Sequence, residues 1–189
     1  MINLFNKVDK DSQLYKTRTD IMRYKNNSIS FLFCILAIVF NVLMFFVIYH
    51  NNNCTSNFEL GIDALLNVCL MLGIFLLSEK TKSYNKNGAF IAIGFGVIQI
   101  ARIFWIPLKY FLANIEYQKA LAEAGEGPFT YSGIIGMNQG DFTLCVIYLS
   151  LSAICLIIAG LVAYFKGERL RAHIAEIEKE AEEASKAGK

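Results

Sequence analysis

Two stretches of this chain carry no charge over a helical length sufficient to cross the hydrocarbon core of a bilayer. Ile29–Tyr49 spans 21 residues and Phe142–Phe165 spans 24, with no Asp, Glu, Lys or Arg in either. A helix needs roughly 20 residues to cross a hydrocarbon core about 30 Å thick, so each run suffices alone. In lipid every backbone N–H and C=O must be bonded within the protein, which leaves helices and closed barrels as spanning forms. Barrel strands alternate apolar and polar residues. These runs do not alternate, so the spanning element is a helix.

Two further runs are long enough but interrupted. Leu60–Ser78 contains one acid, Asp63, and Gly88–Asn114 contains Arg102 and Lys109. The chain is 55% hydrophobic and 18% charged, where a soluble domain carries about 25% charge. The charge that remains is concentrated between the runs. The pattern predicts an all-α integral membrane four-helix bundle, with spans at about 29–49, 60–78, 88–114 and 142–165. The first run follows 27 mostly polar residues and exceeds the 7–15 of a signal-peptide apolar region, so it is read as a retained span.

Lysines and arginines flanking the spans predict orientation. Residues 1–27 carry six, 79–87 carry three and 166–189 carry six, so 15 of the 18 fall on one side of a four-span chain. That side is assigned to the cytoplasm, with both termini inside and the plasma membrane as the expected location. The chain then divides into a basic N-terminal segment (1–27), a transmembrane domain (28–165) with an external loop (115–141), and a cytoplasmic tail (166–189). Residues 115–124 are good helix formers and extend the third helix until Gly125, Gly127 and Pro128 stop it. The rest of the loop is glycine-spaced and apolar, and reads either as interfacial or partly re-entrant or as a flexible connector. In the tail, Leu170, Ile174, Ile177 and Ala181 follow a heptad spacing. They form a candidate interaction seam on a helix continuing from the fourth span.

Ionisable residues at membrane depth are costly and mark functional sites. Arg102 falls near the middle of the third span and Gln99 precedes it on the same face. Asp63 lies about one turn below the outer end of the second span, and Asn67 one turn deeper. Asn41 lies mid-depth in the first, and Ser150 and Ser152 in the fourth. These residues predict an internal polar cluster of Asn41, Asp63, Asn67, Gln99 and Arg102, organised around an Asp63–Arg102 ion pair. The competing reading sends Asp63 to the outer surface and turns Arg102 toward a partner or a water cavity. Pro107 is expected to kink the third helix. Gly88, Ala92 and Gly96, and Ala159, Ala163 and Gly167, form small-residue stripes spaced by four. They predict close packing of the third and fourth helices. Tyr49, Phe58, Tyr84, Tyr110, Tyr117 and Tyr164 are assigned to interfacial belts, and Trp105, deeper and beside Pro107, to packing.

The chemistry of enzymes is missing from the motifs. There is no phosphate-binding glycine loop with a following lysine, no His-Glu-x-x-His, no Gly-x-Ser-x-Gly and no C-x-x-C among the five cysteines. Cys34, Cys69 and Cys155 read as small core residues. No metal, cofactor or nucleic acid is expected, the last because no basic cluster is interleaved with aromatics. The expected function is a non-enzymatic membrane subunit whose partners are the lipid bilayer and either itself or other membrane proteins. The alternative is a small-solute or ion transporter or channel using the polar cluster.

Overall fold

The computed structural model describes residues 13–50, 57–125 and 130–187. They form four helices: α1 Gln13–His50, α2 Asn57–Lys82, α3 Lys86–Ala124 and α4 Gln139–Ala187. All four contain segments long and apolar enough to cross a membrane: Asn27–His50, Gly61–Lys82, Lys86–Ala124 and Gln139–Glu176. Leu32, Phe46, Leu65, Phe104 and Trp105 stand at least 63% exposed on the outside of the bundle. A soluble protein rarely tolerates so much apolar surface, whereas lipid solvates it.

The α2–α3 turn takes three residues, which makes the helices antiparallel neighbours. Ser83 N and Tyr84 N donate to Lys80 O (3.2 Å) and Thr81 O (3.4 Å), closing α2. Tyr84 adopts a left-handed φ of 55°. Asn85 then caps α3, its Oδ1 accepting from Asn87 N at 3.1 Å, the usual role of an Asn at that position. Helix α1 packs on α2 and α4, and α3 packs on α4 and more lightly on α2, leaving α1 and α3 diagonally opposed.

Two apolar layers fill the bundle. Near the α2–α3 turn the layer is Cys34, Ala37, Ile74, Cys155, Leu156 and Ala159. Toward the other end, hereafter the loop end, it is Met44, Ile48, Ile106, Tyr110, Met137, Cys145 and Leu149. Met137 comes from the connection between α3 and α4. Helix α3 ends at Gly125, whose positive φ of 64° suits glycine. The returning chain then folds back along α3. Met137 N donates to Tyr110 O at 3.0 Å and Asn114 Nδ2 donates to Ile135 O at 3.0 Å. Gly136 makes the approach possible: its φ is 78°, and a Cβ there would lie 2.3 Å from Asn114 N. The connection is therefore anchored on α3, and it plugs the loop end with a fully buried side chain.

The α3–α4 seam is tight. A Cβ on Gly96 would lie 2.8 Å from Ile157 Cγ1 and 3.2 Å from Ala153 O. Ala92, Ala159 and Ala163 are buried. Two members of the stripes sit elsewhere: Gly88 approaches the Lys80 backbone of α2, and Gly167 approaches Tyr84 O of the turn. The closest approach in the seam belongs to Gly160, where a Cβ would lie 2.7 Å from Ala89 O. Gly160 is one residue from the spaced stripe, so the four-residue pattern passed over it. Helix α3 runs through Pro107 without interruption.

Helix α4 continues unbroken 22 residues past Phe165, about 33 Å at 1.5 Å per residue. Leu170 is buried and Ile174 half-buried near the turn, while the side chains of Ile177 and Ala181 lie outside the described residues. Glu168 ties the root of this arm to α3 through Lys86 at 3.2 Å, and also pairs with Arg171 one turn along α4 at 3.2 Å.

Candidate functional site

Between the two apolar layers lies a polar one, to which all four helices contribute. Asn41 of α1 is its hub. Asn41 Oδ1 accepts from Gln99 Nε2 at 3.0 Å and from Arg102 Nη1 at 2.9 Å, both on α3. Its Nδ2 donates to Ser152 Oγ of α4 at 2.7 Å and to Ala37 O at 2.9 Å. A primary amide has two donors and two acceptor sites, so Asn41 is saturated and its amide orientation is determined. Ser152 Oγ in turn donates to Ala37 O at 3.1 Å.

Arg102 is buried and solvated by amide oxygens. Its Nη1 also donates to Gln99 Oε1 at 3.0 Å, and its Nη2 donates to Asn67 Oδ1 of α2 at 3.0 Å. A hydrogen bond to a charged group is worth about 1.5–3 kcal/mol. Three of them offset the roughly 2.5–3.5 kcal/mol that an arginine costs at a helix centre on insertion scales. The dipoles of Asn41, Gln99 and Asn67 thus do much of the work that a counter-ion would otherwise do.

This changes the role of Asp63. No ion pair joins Asp63 to Arg102; the carboxylate instead accepts a hydrogen bond from the Tyr110 hydroxyl. Asp63 sits one turn nearer the loop end than Asn67, and the stagger leaves it opposite Tyr110. Tyr110 is 1% exposed, so it is an interior partner and not part of an interfacial belt. Its position eight residues after Arg102, on the same helix face, was the signal that could have placed it.

The network leaves two buried nitrogens without a partner, Arg102 Nε and Asn67 Nδ2. Next to them α2 and α3 part, leaving a half-open cleft of about 550 Å³. Its walls include Ile62, Leu66, Leu70, Ile98, Ala101 and Trp105, and Asp63 and Arg102 also line it. Trp105 stands 72% exposed on the rim. Cys69, expected in the core, is exposed and lines the same cleft. Toward the turn the Phe95 ring closes the gap, 2.8 Å from where a Cβ on Gly73 would stand.

Comparison with known protein families, curated proteins and solved structures finds no match to this chain.

Proposed function

We propose that this chain is a non-enzymatic, multi-pass subunit of a homo- or hetero-oligomeric membrane complex, in the plasma membrane with both termini in the cytoplasm. The observation that carries the reading is the direction of the polar layer. Asn41, Gln99, Ser152 and the two terminal nitrogens of Arg102 are bonded to other members of the bundle. The layer braces the four helices against each other, as a scaffold needs. The α4 arm adds support, since it carries a helix well beyond the apolar span. Orientation rests on the 15 of 18 basic residues gathered on one side.

Gentle extraction from the native membrane, followed by mass measurement of the intact particle, tests this. The expected result is a second protein in fixed ratio or a defined homo-oligomer. A monodisperse monomer with no companion would overturn it. Labelling of cysteines placed singly at positions 130 and 175 tests orientation, and an impermeant reagent should reach only position 130 from outside the cell.

The cleft beside Arg102 favours a second reading, that of a small-solute transporter. Purified protein in liposomes would then show substrate-dependent flux that Arg102→Ala abolishes while the melting temperature shows a folded bundle.

A further inference from the structure

One carboxylate marks the loop end of an otherwise apolar cleft. Asp63 stands two residues inside the second span, which begins at Gly61. It is half-buried and lines the cleft between α2 and α3. Among the described residues it accepts one hydrogen bond, from the Tyr110 hydroxyl, whereas an ionised carboxylate offers about four acceptor sites. Arg102 also belongs to the cleft wall, but it is only 5% exposed. Its terminal nitrogens are turned to Asn41, Gln99 and Asn67, so the charge the cleft presents is that of Asp63. Toward the turn the walls are Leu66, Leu70, Phe95, Ile98 and Ala101. The rise from Asp63 to Leu70 is about 10 Å at 1.5 Å per residue.

We propose that this cleft binds a lipophilic ammonium ion, a single protonated amine on an elongated apolar body. Its N–H groups donate to Asp63, and its body lies along Leu66, Leu70 and Ile98. That order suits a bilayer: the charged end sits near the end of the span and the apolar end lies deeper. An ionisable residue at membrane depth is costly without a partner, and the ammonium supplies the opposite charge. Trp105, exposed on the rim, offers an aromatic face that attracts cations. The volume agrees: about 550 Å³ lies within the roughly 300–1,000 Å³ of small-ligand sites, which are mostly apolar with few polar groups. Leu66, Ile98 and Trp105 are exposed, so the entrance faces sideways into lipid, where such amphiphiles concentrate. A neutral alcohol would bring a donor without the charge, and an anionic amphiphile would set two negative charges together. Binding requires neither an oligomer nor a flux, so the site stands apart from both functional readings.

Trp105 is the only tryptophan of the chain, so its fluorescence reports occupancy of the cleft directly. The full chain, in nanodiscs of phosphatidylcholine at neutral pH, is titrated with decylamine, decanol and decanoate. Decylamine should shift the Trp105 emission saturably, at about a tenth of the bilayer concentration that decanol needs, as one charge-assisted hydrogen bond confers. Decanoate should bind most weakly. Asp63→Asn, which keeps an acceptor for Tyr110, should bring decylamine to the level of decanol. Ala101→Phe, on the exposed cleft wall, should weaken the amine and the alcohol alike without changing the melting temperature. No saturable shift with decylamine, equal binding of decylamine and decanol, tightest binding of decanoate, an intact preference in a folded Asp63→Asn variant, or undiminished binding to Ala101→Phe would each overturn the proposal.

Discussion

Helix α3 has two neighbours and treats them differently. On the α4 side, Gly96 of α3 and Gly160 of α4 bring the partner so close that a Cβ would meet backbone oxygen at 3.2 Å and 2.7 Å. On the α2 side, Phe95, Ile98 and Trp105 face Leu66 and Leu70 across a cleft of about 550 Å³. In lipid no hydrophobic force draws helices together, and close approach depends on small residues that let backbones touch. Where α3 offers bulk it stands off; where small residues face each other it locks. The polar layer reaches beyond both, because Arg102 and Gln99 are long enough to bond Asn41 of α1, a helix that α3 does not pack on.

The layer is the largest lever on this comparison. Asn41→Leu removes four hydrogen bonds and strips Arg102 of one acceptor. Breaking the surroundings of a buried charge costs about 3–5 kcal/mol, and denaturant unfolding in mixed micelles should show a loss of that size. A loss under 1 kcal/mol would mean that the layer is not what braces the bundle.

Next comes the seam itself. Gly160→Leu must displace the Ala89 backbone, and overpacking of this kind costs about 1–3 kcal/mol. Ala101→Leu, on the cleft side of the same helix, should stay within about 0.5 kcal/mol, as for an unconstrained surface site. Equal effects of the two would erase the distinction between the tight and the open side.

A smaller effect is expected at the mouth of the cleft. Tyr110→Phe removes the hydroxyl that bonds Asp63 and should cost about 1 kcal/mol, while Ile106→Val one turn from it removes only one methylene for comparison. The weakest expected effect is Glu168→Gln at the turn. It loses exposed ion pairs to Lys86 and Arg171, worth about 0–1 kcal/mol, and the melting temperature should hardly move.

Much of this architecture was legible beforehand. Charge-free runs such as Ile29–Tyr49 dictate helices, because lipid offers the backbone no other partner. The extension of α3 to Ala124 and its stop at Gly125 follow from helix formers meeting glycine. The members of the polar layer were legible too, since each is an expensive residue at a computable depth. Their pairing was not. Depth places Asp63 and Arg102 within reach of each other but says nothing of rotation about the helix axes, and rotation gave Arg102 to three amides and Asp63 to Tyr110. The four-residue spacing located a seam but passed over Gly160, since a stripe read on one helix does not reveal which residue its neighbour approaches.

The sequence by itself determined that this chain makes helices, how many are apolar enough to span and which polar residues lie within them. Those are properties of single segments set against a bilayer, and composition along one axis settles them. Only the tertiary structure decided that Asn41 is the hub, that Met137 plugs the loop end and that α2 parts from α3. Each of these depends on how the faces of separate helices meet, and that is settled by side-chain bulk and hydrogen-bond valence acting across space.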